Sequence, residues 1–107
     1  MITTIISGGQ TGVDQAALQI ARNMDYQTGG WAPKGWRTEA GPAPWLASYG
    51  LRETTSSAYA TRTRRNVQMA DATLILGHPS PGCNLTQRFC GRVWEDKPWL
   101  WLNLDRT

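Results

Sequence analysis

The chain opens with Ile2 to Ile6, a short β-branched run that ends in glycine, which reads as a buried strand. Ser7-Gly8-Gly9-Gln10-Thr11-Gly12 follows as a turn. From Val13 the pattern changes to helical spacing: Val13, Ala16, Ala17, Ile20, Ala21 and Met24 predict a helix to about Asn23 or Met24. Strand, glycine turn and helix together open a βαβ unit. Gln27 to Trp31 is a weaker strand. Ala32 to Tyr49 holds three prolines and little periodicity, which predicts a long loop, a feature usually functional or mobile in a compact domain. Leu51 to Thr54 reads as a short extended piece. Ser56 or Ser57 can cap a second helix reaching about Ala70, with a thin apolar stripe of Tyr59, Val67 and Ala70. Ala72 to Leu76 is continuously apolar, as a central parallel strand would be. His78 to Gly82 is another turn. Leu85, Phe89 and Val93 place a third helix over roughly Asn84 to Trp94, and Trp99 to Leu104 forms the last strand.

This alternation predicts an α/β fold, a parallel sheet flanked by helices with right-handed crossovers, and one domain over 1–107. In such sheets ligands sit at the carboxyl ends of the strands. Two turns fall there, Ser7 to Gly12 and Gly77 to Gly82.

Composition narrows the classes. With 40% hydrophobic and 18% charged residues the chain is globular rather than disordered. No apolar run approaches the roughly 18 residues of a membrane span, and the start lacks a signal peptide's basic and apolar regions. The expected compartment is the cytoplasm (a host's, if the source is a virus). The net charge is +3, and nine of the eleven cations are arginine, which suits forked recognition of phosphate or carboxylate. The longest basic run, Arg62-Thr63-Arg64-Arg65, is too short for a nucleic-acid arm. Cys83 and Cys90 have neither zinc nor disulfide spacing, and His78 is the one histidine, so no metal site is expected and two free thiols are. Six tryptophans fill the core or offer flat faces to ligands and partners.

Four segments could carry chemistry. In Ser7 to Asp14, glycines permit positive φ and close ligand approach, and the N–H groups at the helix start favour an anion. Gly8, Gly9, Gln10, Thr11 and Gly12 are therefore candidates for phosphate binding, although the spacing is neither a dinucleotide fingerprint nor a Walker loop. Asp14 either caps the helix or contacts a ligand hydroxyl. In the loop, Lys34, Gly35 and Arg37 could receive phosphates, with Trp31 or Trp36 stacking on a base; the same residues also suit a solvated loop around a packed tryptophan. Arg62 and Asn66 are four apart and share a helix face with Tyr59 nearby, so Arg62 either joins the site or faces solvent. Ser80, Gly82, Asn84 and Thr86 form a second glycine turn before a helix, open to anion binding or capping. Asp14 and Glu39 are the only acids near these turns, and His78 reads as a surface residue.

Taken together, Ser7 to Ala17, Gly30 to Gly35, Leu51 to Thr54, Tyr59, Arg62, Asn66, Asp71 to Leu76, Ser80 to Thr86 and Lys97 to Trp99 resemble the molybdenum-cofactor carrier family. That family comprises circularly permuted members of the SLOG superfamily. The resemblance spans about residues 3 to 104. It implies a Rossmann-like three-layer parallel sheet of about four strands and a nucleotide-derived ligand. Family members continue beyond the strand at Trp99 to Leu104, so an uncovered sheet edge and a homo-oligomer are expected, with Trp99 and Trp101, which share one face of that strand, serving packing or a subunit contact. Phosphoribohydrolase relatives place a catalytic glutamate after a glycine-rich motif, whereas Pro81 to Gln87 holds no acid.

The expected function is therefore non-enzymatic binding of a phosphate-containing, nucleotide-derived small molecule, for carriage, sensing or sequestration. An ADP-ribose-type signal sponge and a carrier of a molybdopterin-type cofactor are two forms of it. A nucleoside-phosphate N-glycoside hydrolase with Asp14 or Glu39 as acid, and a tryptophan-rich interaction module, are the alternatives.

Overall fold

The computed structural model describes residues 2–77, 81–92 and 97–103. In order it contains β1 (Thr4–Ile6), α1 (Val13–Asn23), β2 (Gln27–Ala32), a 3-10 helix (Pro44–Tyr49), β3 (Leu51–Glu53), α2 (Tyr59–Met69), β4 (Thr73–Gly77), α3 (Pro81–Arg92) and β5 (Trp99–Asn103). Among the described residues the strand pairs are parallel, and with the interleaved helices they make a Rossmann-like α/β arrangement. The chain divides within α2 into two compact units, Met1–Asn66 and Val67–Thr107.

In the first unit β2 lies between β1 and β3. Thr4, Ile5 and Ile6 face Gln27, Thr28 and Gly29, and Gly30, Trp31 and Ala32 face Leu51, Arg52 and Glu53. The extended piece at Leu51 is thus a strand of this sheet. α1 stops where Asp25 takes φ 64°, the left-handed position that ends many helices. Tyr26 N–H then donates to Ala21 O (2.9 Å) and Asp25 N–H to Arg22 O (3.1 Å), satisfying two terminal carbonyls.

The face α1 buries overlaps its longest apolar stripe only at Ala21. Leu18 and Ala21 are buried, while Val13, Ile20 (58% exposed) and Met24 (62% exposed) are open. At about 100° per residue the two sets sit roughly a third of a turn apart. Burying the Leu18 side also turns Asp14 toward the sheet, where its carboxyl meets the turn before the helix. Leu18 packs with Ala32, Ala43, Leu46 and Leu51, with Trp36 and Tyr49 against them. The segment predicted as a long loop is therefore partly core. Leu46, on the 3-10 helix, is fully buried, and Arg22 reaches across to stack on Tyr49 (3.7 Å to the ring centre).

In the second unit Thr73 to Gly77 pair in register with Trp99 to Asn103, and α3 packs on β4. α3 begins at Pro81, three residues before its predicted start, because proline fits the first helical position. Val67, Ile75 and Cys90 are buried. Burial pushes the Cys90 thiol up, against an opposing hydrogen bond with Thr73. Lys97 Nζ donates to Gln68 O (2.6 Å) and Ala70 O (2.9 Å), capping the carboxyl end of α2. Among the described residues no helix is long and apolar enough to cross a membrane.

Candidate functional site

Parallel pairing brings the carboxyl ends of β1, β2 and β3 to one edge of the sheet. The segments leaving them are the turn Ser7–Gly12, the stretch 33–37 and the stretch 54–58, which leads into α2. Side chains and backbone lace the three together. Gln10 Nε2 donates to Arg37 O (2.9 Å), and Arg37 Nη1 donates to Ser57 O (3.0 Å). Lys34 N–H donates to Ser56 O (3.0 Å), and Gly35 N–H donates to Glu53 Oε2 (2.6 Å).

The turn is organised from within. Ser7 Oγ donates to Asp14 O (2.9 Å) and accepts Gly9 N–H (3.3 Å). Gly12, at the N-cap, brings no capping side chain. Asp14 takes that part from inside the first helical turn, its Oδ2 accepting Gln10 N–H (3.2 Å) at the positive end of the helix dipole. The N–H groups of Thr11 to Asp14 have no acceptor among the described residues, as expected of a first helical turn. Gly9 has φ 74°, and a Cβ there would meet Leu46 Cδ1 at 2.6 Å, so the turn presses directly on the core.

Helix α2 lays Tyr59, Arg62 and Asn66 along one face toward this edge. Asn66 Oδ1 accepts Trp31 N–H (2.8 Å) and its Nδ2 donates to Trp31 O (3.0 Å). The last backbone bond between β1 and β2 runs from Ser7 N–H to Gly29 O, so Asn66 replaces the strand that has turned away. Gly30 permits the approach: a Cβ would strike Ser7 O and lie 3.1 Å from Asn66 Oδ1. One turn earlier, the Arg62 guanidinium rests on the backbone of Gly8, where a Cβ would lie 2.8 Å from Arg62 Cδ and 2.9 Å from Cζ. Tyr59 lies beneath two cations, with Arg37 Cζ 4.3 Å and Arg62 Cζ 5.8 Å from its ring centre. Arg65 lies over Trp31 (5.2 Å).

The charges are only loosely paired. Arg62 Nη1 is 3.7 Å from Asp14 Oδ2, beyond hydrogen-bond distance, although the Arg62 side chain is only 14% exposed. Arg62 Nε and Gln10 Oε1 are buried with no hydrogen-bond partner among the described residues. Burial raises the Asp14 pKa, outweighing Arg62 and the Gln10 N–H. Burial likewise lowers that of Arg62 against the pull of Asp14 and Tyr59. A buried cation with spare donors is costly unless an acceptor completes it. An anion or a polar group at this edge would do so.

Of the residues singled out by sequence, Gly8, Gly9, Gln10, Asp14, Arg37 and Arg62 form one connected group, and Thr11 and Gly12 continue the same turn. Trp31 is held by Asn66 and covered by Arg65. Lys34 is exposed, Gly35 (φ 81°) is tied to Glu53, and Trp36 (φ 57°) packs half-buried on the core. Gly82 and Asn84 are exposed and Thr86 half-buried at the start of α3 in the second unit, where Thr86 Oγ1 donates to Gly82 O (3.0 Å). Ser80 and His78 lie outside the described residues. Sequence reasoning noticed the face shared by Tyr59, Arg62 and Asn66 but assigned only Arg62 a role. Glu53 and Gln15 (Nε2 to Gly9 O, 3.1 Å) lie in segments that carry the family resemblance but were assigned no role.

A family model described as the circularly permutated YpsA SLOG family matches residues 5–107. The chain is also similar to a protein from Syntrophus aciditrophicus SB, whose crystal structure bears the name "Putative molybdenum carrier protein". The TM-score is 0.87 and the identity 44%, over 99% of this chain and 66% of that one. The chain thus spans just under two thirds of that protein's length. No curated protein matches it.

Proposed function

We propose that this chain, which belongs to the circularly permutated YpsA SLOG family, binds a phosphate-bearing, nucleotide-derived small molecule in order to carry, sense or sequester it. One observation carries the reading: a buried, under-partnered Arg62 rests on Gly8 beside the unpaired N–H groups that begin α1. Arg37 adds positive charge through the contacts of Gln10 and Tyr59, and Lys34 follows β2 on the same edge. Phosphate is the common anion that uses a helix start and a guanidinium together.

Two ligands fit this chemistry. An ADP-ribose-type signal would place its diphosphate here, which suits a sequestering role. A molybdopterin-type cofactor would bind through its phosphate, and the name of the structural neighbour favours it. Among the described residues no three His, Cys, Asp or Glu side chains gather to hold a metal ion.

Native mass spectrometry of the protein as purified reads both carried ligand and subunit number, and a homo-oligomer is expected. Calorimetry with ADP-ribose derivatives then gives affinity. Replacing Arg62 with Met removes charge-assisted bonds worth about 1.5–3 kcal/mol, so affinity falls roughly 10- to 100-fold. A protein that carries nothing, and binds no nucleotide or pterin phosphate, refutes the reading.

A further inference from the structure

Asp14 already places a carboxyl group in the turn. Its Oδ2 holds the Gln10 N–H at 3.2 Å and faces Arg62 Nη1 at 3.7 Å. Its Oδ1 has no partner among the described residues, and 35% of the side chain remains open. Beside it Gln10 Oε1 is a second acceptor without a donor. Asp14 Oδ1 and Gln10 Oε1 therefore offer acceptors, whereas Arg62, Arg37 and the N–H groups of Thr11 to Asp14 offer donors.

A phosphate group brings only acceptor oxygens and negative charge at neutral pH. Placed against Asp14 it would meet like charge and find the Gln10 N–H taken. A hydroxyl donates, carries no charge, and suits a carboxylate oxygen that lacks a donor. We propose that Asp14 is a specificity-determining residue that accepts a sugar hydroxyl of the ligand and keeps phosphate off its own carboxyl. The ligand class is then a sugar phosphate of the nucleotide type, oriented with its phosphate on the Arg62 side and its hydroxyl on Asp14. This rests on the binding function proposed above, but it makes a separate claim: the site distinguishes a ribose from its deoxygenated form.

Isothermal titration calorimetry of the whole chain with ADP, 2′,3′-dideoxy-ADP and inorganic pyrophosphate tests it, on the natural sequence and on Asp14→Asn. Asparagine keeps an acceptor for Gln10 N–H but removes the charge. The natural protein is expected to bind ADP about 10- to 100-fold more tightly than dideoxy-ADP, the size of one hydrogen bond to a charged acceptor. Asp14→Asn narrows that gap to within about threefold and binds pyrophosphate at least as tightly as before. Equal affinity of the natural protein for ADP and dideoxy-ADP overturns the role of Asp14 and leaves the binding function standing. So does a loss of pyrophosphate affinity in Asp14→Asn, since Asp14 would then support the anion rather than repel it. Should none of the three probes bind, the role given to Asp14 falls, while the binding function is decided by the native mass measurement and the pterin and ADP-ribose ligands named above. If Asp14→Asn does not fold, the comparison of ADP with dideoxy-ADP on the natural protein decides alone.

Discussion

Gly8→Ala probes the central contact of the site with one methyl group. Gly8 is buried and outside the positive-φ set, so alanine adds no backbone strain. The new Cβ would collide first with Arg62 Nη1 and would lie 2.8 Å from Cδ and 2.9 Å from Cζ. Carbon–carbon contacts settle at about 3.5–4.0 Å, so the Arg62 stem must retreat by roughly 0.6–1.2 Å. That opens the 3.7 Å approach to Asp14 and lifts the guanidinium off the turn. Overpacking costs about 1–3 kcal/mol; a long side chain yields more easily than a core wall, which favours the lower half of that range. A loss of about 1–2 kcal/mol lowers Tm by roughly 4–16 °C in a chain of this size. Scanning calorimetry of a double-mutant cycle with Arg62→Ala checks the cause: without Arg62, the Gly8→Ala penalty should shrink to about 0.5 kcal/mol or less. Gly41→Ala, at φ 103° with open space around its Cβ, is the control, paying only the backbone cost of a left-handed residue. A Gly8→Ala penalty of full size in the Arg62→Ala background would refute the steric account.

Asn66→Ala leaves both Trp31 backbone groups without partners and should cost about 1–3 kcal/mol, with faster hydrogen exchange at the Trp31 amide as the specific readout. Because burial holds the Asp14 pKa above the ordinary 3.8, the folded protein binds its proton more readily than the unfolded chain. The Asp14 contribution to stability therefore grows as pH falls through the raised value toward 3.8 and is lost as pH rises. Urea midpoints followed from about pH 8 to 4 should show Asp14→Asn lacking that gain. Lys97→Met removes two bonds to the carboxyl end of α2 and should cost about 1–2 kcal/mol, with the loss confined by hydrogen exchange to residues 67 onward.

How much of this was legible in the sequence depends on whether a residue's partner is near in the chain. The turn Ser7–Gly12 and helix α1 were readable because glycine spacing and a change of period are local signals. The face of Tyr59, Arg62 and Asn66 was readable as a face, since three- and four-residue spacing fixes it. Its target was not: Asn66 bonds Trp31 across 35 positions, and only the departure of β1 from β2 after Ser7 creates the gap it fills. Leu46 was missed as core because its burial depends on the side of α1 that carries Leu18, and α1 had a longer apolar stripe to offer. That choice has a consequence for the site. Had α1 turned Val13, Ile20 and Met24 inward, Asp14 would have rotated away from Gln10, leaving the turn uncapped and Arg62 without a counter-charge. The helix instead leaves those apolar residues open and brings one carboxyl to the sheet edge. Exposed apolar surface is a liability that a partner surface removes. The same rotation thus sets the charge balance of the proposed binding site and leaves Ile20 and Met24 available to a second subunit. Mass measurement before and after Ile20→Glu would show whether that face is used: a shift to monomer with ligand affinity intact separates assembly from binding, and an unchanged mass removes α1 from the interface.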